Sequence, residues 1–319
     1  MKGGKNMSNV NMNDGSVNYV LQTKNISKVY GGKKVVDNVS INVKKGDIYG
    51  FIGKNGAGKT TLMRMICGLT KASSGDIELF GTSNLEAGRK KMGSTIENPA
   101  LHTTMTAMEN MEVQRLTLGI KDKQICTELL ELAGIADTGK KKVKNFSLGM
   151  KQRLTIALTL LGNPEFIILD EPTNGLDPIG ISETLAFLQH LSENRGIAIL
   201  ISSHILGELE KIATHYGVIH QGKLVDEFSA ETLSERCEEN LVLYTNNPQI
   251  AERIVKEKLP HAICQLLPDT TVMVKGHVEK SNLIHKALVE AGLIVNGVVP
   301  KRENLEDYFL KLMGGRGHV

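Results

Sequence analysis

Between Tyr19 and Leu79 the chain runs in short apolar stretches broken by two turn signals, Gly31-Gly32 and Lys45-Gly46-Asp47. That rhythm predicts strands. Ile48 to Ile52 is one apolar run, Leu62 to Leu69 has helical spacing, and Asp76 to Phe80 predicts a further strand. Residues 85 to 145 change character. They are polar and helix-prone and predict helices near 106–119 and 122–133, with Gly119 and Gly134 where helix ends fall. This span reads as a helical insertion in an α/β core. Core character returns at Ser147. A nearly all-apolar helix, Leu154 to Leu161, stops at Gly162-Asn163-Pro164, and Phe166 to Leu169 is a continuous apolar run suited to a strand buried on both faces. A helix from about Ile179 to Ser192, a second buried strand from Ile197 to Ile201, a helix starting near His204 and a strand pair between Tyr216 and Phe228 follow. Strands alternating with helices predict an α/β fold with a mostly parallel sheet.

After Leu233 the pattern reads strand (Leu241 to Thr245), helix (Pro248 to Lys258), strand (Ala262 to Leu267), strand (Thr271 to Lys275), helix (Ser281 to Ala291), strand (Leu293 to Val299). That order is the one of a ferredoxin-like α+β module. Leu305, Phe309 and Leu312 stand at i, i+4 and i+7 and predict a final helix.

Composition narrows the field. The chain has 319 residues, 41% hydrophobic and 23% charged, with a formal net charge of +3. That is ordinary globular composition, and the charge is too mild to point to nucleic acid or an anionic membrane surface. The four cysteines, Cys67, Cys126, Cys237 and Cys264, show no C-x-x-C pairing, so neither a zinc site nor a disulfide framework is indicated. No run approaches the length of a membrane-spanning helix. Residues 1 to 17 are rich in Asn, Gly, Ser and Met, lack the apolar core of a signal peptide, and read as a disordered leader.

Chemistry concentrates in three places. Gly53-Lys54-Asn55-Gly56-Ala57-Gly58-Lys59-Thr60 fits the phosphate-loop pattern G-x-x-x-x-G-K-[ST], after a strand and before a helix, the context the motif requires. Glycines let amide groups crowd around phosphate oxygens, the helix end behind favours negative charge, Lys59 adds a point charge, and Thr60 offers a hydroxyl to Mg²⁺. Phe166-Ile167-Ile168-Leu169-Asp170-Glu171-Pro172 ends an apolar strand in two acids. Asp170 is placed to hold Mg²⁺, and Glu171 to take a proton from an attacking water. Phe146-Ser147-Leu148-Gly149-Met150-Lys151-Gln152-Arg153 combines an N-cap serine with a close-approach glycine, a second candidate anion site.

Taken together, these motifs resemble an ABC transporter ATPase subunit: a P-loop cassette with a mixed sheet core and a helical subdomain. In that resemblance Phe146–Arg153 stands for the signature loop and Tyr30 for the aromatic that stacks on adenine, with Thr61 beside Thr60. Asn174-Gly175-Leu176-Asp177 stands for the loop that touches a dimer partner, and Ser203-His204 for the switch histidine facing the γ-phosphate. Tyr30 as core and His204 as a helix cap are the plainer alternatives. The implied boundaries are a leader over 1–17, an ATPase domain over 18–232 with a helical subdomain at about 85–160, and an α+β accessory domain over 233–319. The implied cofactors are ATP and Mg²⁺, with Ser147, Gly149 and Asp177 acting across a dimer of cassettes, most simply a homodimer.

The signature departs from the family's usual L-S-G-G-Q: Leu148 replaces a glycine and Met150 a glutamine, while Ser147 and Gly149 are kept. In Gly93-Ser94-Thr95-Ile96-Glu97-Asn98-Pro99, Glu97 stands where the family usually has Gln. Glutamate there resembles the subgroup that protects bacteria against bacitracin-type and lantibiotic-type peptides, as do the stretches around Ser147 and Asp177. The resemblance implies that Glu97 serves Mg²⁺ and couples hydrolysis to the helical subdomain. It also implies a separate integral-membrane permease docked near Pro99 to Met111, and a cytoplasmic protein peripheral on the inner face of the membrane. The cassette itself would not touch the transported substrate, and no nucleic-acid partner is expected. Met105, Met108 and Met111 read either as core or as part of that docking face, and Lys140, Lys141, Lys142 and Lys144 as a solvated face. The alternative is an ABC ATPase acting on nucleic acid or ribosomes, or an exporter of sodium or lipid. Only mixed helix separates the P-loop from Asp170, with no long coiled coil, which favours transport over DNA repair.

Overall fold

Alternate residues of the buried strands face opposite sides of one sheet, and this divides the first part of the molecule into two layers of core. The computed structural model describes residues 18–97, 101–236, 239–267 and 271–302. The expected leader and final helix lie outside those residues. In chain order the elements begin with β1 (Tyr19–Tyr30), β2 (Lys33–Val39), β3 (Asn42–Lys44), β4 (Ile48–Ile52), α1 (Lys59–Ile66) and β5 (Ser74–Leu79). Next come α2 (Leu85–Arg89), β6 (Met92–Thr95), α3 (Ala107–Thr117), α4 (Gln124–Leu132) and α5 (Leu148–Leu160). The chain returns through β7 (Phe166–Asp170), α6 (Pro178–Arg195), β8 (Ala198–Ser203), α7 (Leu206–Leu209), β9 (His215–His220), β10 (Lys223–Ser229) and α8 (Ala230–Arg236). Last are β11 (Glu239–Thr245), α9 (Pro248–Lys258), β12 (Cys264–Leu267), β13 (Thr271–Val274), α10 (Ser281–Glu290) and β14 (Val295–Arg302).

The central sheet has the order β10-β9-β4-β8-β7-β6. β9, β4, β8, β7 and β6 run parallel, and β10 closes the edge antiparallel to β9. Ile167, Leu169, Ile199 and Ile201 face the helical layer with Met111, Leu129, Leu154 and Leu188. Phe166, Ile168, Ala198 and Leu200 face the other way, against α1 (Leu62, Met63) and the antiparallel strands (Val36, Val43). Sheets covered on both faces call for continuous apolar strands, which is why β4, β7 and β8 are legible as unbroken runs. β1 carries the second sheet, pairing antiparallel with β2, β3 and β5.

The helical span differs in detail from expectation. β6 lies inside it, between α2 and α3, and pairs in parallel with β7, so the sheet reaches into residues 85–160. α3 starts at a full capping box, Thr106 with Glu109, and Gly119 and Gly134 sit at φ 70° and 64° just past α3 and α4. α5 begins at Leu148, a turn and a half before the apolar run that announced it, because Ser147 caps it. The methionines split. Met111 is fully buried, Met108 is exposed, and Met105 precedes the helix, so they form no single stripe.

Beyond α8, β12-β13-β11-β14 form an antiparallel sheet with a core of its own, built from Leu241, Leu243, Val272 and Val274 against Ala251, Val255, Ile284 and Leu288. Cys67, Cys126 and Cys264 are free thiols. Burial pushes the Cys67 thiol up to about 11, against the opposing pull of Ser94 and Arg89. Among the described residues no helix is long and apolar enough to cross a membrane.

Leu200 is fully buried at the centre of β8. Leu200→Ala is expected to destabilise the fold by about 2–5 kcal/mol, read as a lower urea midpoint at unchanged slope. A loss under about 1 kcal/mol would contradict this packing.

Candidate functional site

Three neighbouring strands end side by side, and the candidate residues follow their ends. In register Ile52 stands beside Ser203, and Asp170 beside Ser202. Ligands of open α/β sheets gather at such carboxyl ends. The loop after β4 is the expected phosphate cradle. Lys54, Asn55 and Gly56 are exposed, whereas Gly53, Ala57 and Gly58 are buried. Gly58 caps α1 at φ 113°, and a Cβ there would come within 2.7 Å of the Val35 carbonyl oxygen. A Cβ on Gly53 would come within 2.5 Å of the Ile219 carbonyl oxygen. Only glycine fits either place.

Lys59 opens α1 with its side chain 4% exposed. Its Nζ donates to the Gly53 carbonyl at 2.6 Å and pairs with Glu171 Oε1 at 3.0 Å. The second oxygen of Glu171 lies 2.9 Å from His204 Nδ1. Glu171 therefore joins the phosphate loop to the residue that follows β8. It does so from φ 49°, a left-handed conformation that a non-glycine residue adopts only where its surroundings impose it. Asp170 takes hydroxyl donors on both oxygens, Thr60 Oγ1 at 2.7 Å and Ser202 Oγ at 2.6 Å. Ser202 Oγ in turn accepts the Glu171 backbone N–H at 2.9 Å. Thr61 follows Thr60 in α1, half-buried.

The second candidate anion site stands apart from this group. Ser147 is exposed and caps α5, accepting the Met150 N–H at 3.2 Å. Gly149 packs 3.9 Å, measured from a Cβ position, from Leu176 and from Gly180. The Asn174–Asp177 loop therefore sits against the start of α5. Asp177 caps α6, accepting Gly180 N–H at 2.8 Å with Pro178 in the first turn. Leu148 and Ile179 are left 49% and 70% exposed beside these caps, a large apolar exposure at two helix starts.

Two candidates meet partners that sequence did not foresee. Tyr30 is exposed at the end of β1, its hydroxyl 3.3 Å from Thr70 Oγ1 and its ring under Lys28 Nζ at 4.8 Å from the centroid. It is therefore a surface ring and not core. Glu97 was expected beside Thr60 and Asp170, but its Oε2 is held by Arg64 Nη2 at 2.9 Å, one turn further along α1. Sequence reasoning also missed Ser202 and Glu208. Two hydroxyl residues, Ser202 and Ser203, at the end of an apolar strand were the available signal for the first. An acid between Leu206 and Leu209 was the signal for the second.

Among the described residues no three His, Cys, Asp or Glu side chains converge on a metal position. Mg²⁺ needs none, since it binds through one or two protein oxygens and completes its shell with water and substrate phosphate. Thr60 Oγ1 and the Asp170 carboxylate, both hard oxygens and 2.7 Å apart, fit that requirement.

A glycine-lined phosphate loop, a buried lysine, a strand-end Asp-Glu pair and a histidine just past the neighbouring strand define a P-loop nucleotide-binding cassette. The family model described as ABC transporter matches residues 36–174. The chain is 42% identical over 299 residues to the bacitracin transport ATP-binding protein BcrA of Bacillus licheniformis, covering 93% of this chain and 98% of that protein. It is 41% identical over 227 residues to the lantibiotic transport ATP-binding protein SrtF of Streptococcus pyogenes, covering 70% of this chain and 98% of that protein. The solved dimeric structure of a bacterial ABC transporter cassette shares the fold at a TM-score of 0.59 and 25% identity, covering 66% of this chain and 98% of that one. The chain belongs to the ABC transporter family as an ATP-binding subunit, an ATPase.

Gly58→Ala is expected to keep the fold but weaken binding of a fluorescent ATP analogue by at least about tenfold, because the loop must shift off its φ of 113°. Binding within twofold of the parent would contradict the assigned cradle.

Proposed function

We propose that this chain powers export of peptide antibiotics of the bacitracin type through a separate integral-membrane permease, from the inner face of the cell membrane. The observation that carries the catalytic half is the Glu171 carboxylate, gripped by Lys59 at 3.0 Å and His204 at 2.9 Å. A buried ammonium needs an anion. Without nucleotide that anion is Glu171. The γ-phosphate of ATP can take its place on Lys59 and leave Glu171 free to accept a proton from water, with His204 orienting the carboxylate and facing the phosphate. Tyr30 offers its exposed ring to adenine, and the amides of the loop from Gly53 through Thr61 cradle the phosphates. Mg²⁺ held by Thr60 and Asp170 would neutralise charge on the β- and γ-phosphates. Glu97 can join them by leaving Arg64. That pair is 43% and 55% exposed, and such surface pairs are worth about 0–1 kcal/mol, so the exchange costs little.

Ser147, Gly149 and Asp177 are assigned to a second copy's nucleotide. The exposure of Ser147 and Asp177 supports this, as does the N-terminus of the long helix α5 behind Ser147. The solved dimer of a related cassette is consistent with such a pairing. A boundary near residue 233 is supported by the separate core beyond it, and the order β12-β13-β11-β14 supports reading that module as ferredoxin-like. The substrate class rests on coverage. The bacitracin relative matches 93% of this chain, whereas the lantibiotic relative, itself matched almost end to end, reaches only 70%. The permease, and not this chain, would meet the peptide.

Glu171→Gln is expected to slow phosphate release by about 10²–10⁴-fold and to trap an ATP-bound dimer on gel filtration. A variant that stays monomeric with ATP, or hydrolyses at the parent rate, would refute the assignment. Glu97→Gln is expected to bind ATP normally but to change turnover or the bacitracin tolerance of cells carrying the permease. Unchanged hydrolysis together with unchanged tolerance would remove Glu97 from the mechanism.

A further inference from the structure

Glu208 is a buried acid that the proposed chemistry does not use. It sits on the four-residue helix α7, 8% exposed, among Leu206, Leu209 and the loops that follow β7 and β8. A carboxylate at that depth requires hydrogen-bond donors. Its Oε2 accepts from Thr173 Oγ1 at 2.6 Å and lies 3.3 Å from Ser203 Oγ. Thr173 is itself 4% exposed and Ser203 2% exposed, so this is an interior contact and not a surface pair. The Ser203 hydroxyl also lies 3.1 Å from the Ile205 carbonyl and accepts the Ile205 N–H at 2.9 Å, which closes a tight turn around His204.

The two donors are placed beside the two members of the catalytic pair. Ser203 adjoins His204. Thr173 is separated from Glu171 only by Pro172, whose ring fixes φ and leaves little slack. Glu208 thus ties the loop bearing Glu171 to the strand end bearing His204, through one oxygen. The cleft next to it is lined by Glu171, Asn174, Leu176, His204 and Glu208. Glu171 also holds a φ of 49°, which persists only where neighbours over-determine it. The Thr173–Glu208 contact, two residues downstream, is one such neighbour.

We infer that Glu208 is a positioning residue that sets the distance and orientation of the Glu171–His204 pair by clamping Thr173 and Ser203. Its effect on the reaction runs through Glu171 and His204. An ionised carboxylate suits the role because one oxygen can accept from two hydroxyls, with shorter bonds than a neutral amide makes. The inference rests on the reading of Glu171 as general base. It leaves the phosphate cradle untouched, since Lys59 and its loop have no bond to Glu208.

The test is steady-state ATP hydrolysis by the full chain, with KM and kcat separated. Glu208→Ala is expected to lower kcat by about ten- to a hundredfold with KM for ATP within twofold. Glu208→Gln should fall between the variant and the parent. In a His204→Ala background Glu208→Ala should add less than twofold, because its effect runs through the pair. Thr173→Val should reproduce the loss and Thr173→Ser restore it, and this second pair decides the matter if Glu208→Ala fails to fold. A kcat within twofold of the parent in both Glu208→Ala and Thr173→Val overturns the inference, as does a loss that multiplies fully with that of His204→Ala. Turnover abolished by Glu171→Gln but indifferent to Glu208→Ala removes the clamp alone. Turnover indifferent to Glu171→Gln removes the general-base reading and the clamp with it.

Discussion

Lys59 is a charge that the fold has taken out of water. With its side chain 4% exposed, it must be neutralised from within, and the 3.0 Å contact with Glu171 does this. Removing one partner of such a pair strands the other, at a cost of about 3–5 kcal/mol. The rest of the site can be read from that constraint. The phosphate loop must bend so that Lys59 points back over Gly53, and the chain after β7 must turn at Glu171 to meet it. Whatever anion replaces Glu171 on Lys59 releases the carboxylate from its strongest tie. In the proposed mechanism substrate binding and release of the base would then be one event, because a single buried cation serves both.

That exchange is possible because the parallel sheet brings together residues far apart in the chain. β4 supplies the loop, β7 the two acids and β8 the histidine, and their register aligns Ile52 with Ser203 and Asp170 with Ser202. Alternation within each strand anchors this edge twice. Ile168 and Leu200 are locked against α1 and its neighbours, Ile167 and Ile199 against the helical layer. A site assembled at strand ends inherits the rigidity of both cores, and only its loops remain to be set by local hydrogen bonds. Ser202 illustrates how few are needed. Its hydroxyl donates to Asp170 and accepts from the Glu171 amide, so one side chain fixes both acids.

Features governed by local pattern were legible before the structure. Unbroken apolar runs marked β4 and β7, glycine spacing marked the loop, and Ser147 marked a helix start that carries its cap hydrogen bond. What escaped depended on which side chain reaches which across the fold. Glu97 was assigned from the family resemblance, and its partner in the structure, Arg64 on α1, is 33 residues away in the chain. Three methionines at equal spacing suggested one face, but Met105 lies before the helix and the other two part between core and solvent. Glu208 was invisible for a related reason. An acid among leucines carries no sign of whether a donor waits for it, and its donors, Thr173 and Ser203, come from two other loops.

The two ends of the proposed nucleotide site are built on opposite electrostatic terms. Around Lys59 the protein is self-sufficient: the cation, two carbonyl oxygens and Glu171 satisfy one another inside a single chain. Around Ser147 it is not. The serine satisfies one of the first amides of α5, while a helix leaves four without partners, and the ground beside it is apolar, with Leu148 and Ile179 largely exposed. A helix terminus with spare donors and an apolar rim gains from an anion brought by another molecule, and gains more when that molecule also covers the leucine and isoleucine. In the proposed pairing, the terminal phosphate of one ATP would satisfy both ends at once. In that pairing the asymmetry between a closed lysine pocket and an open serine cap would favour assembly only while the terminal phosphate is intact.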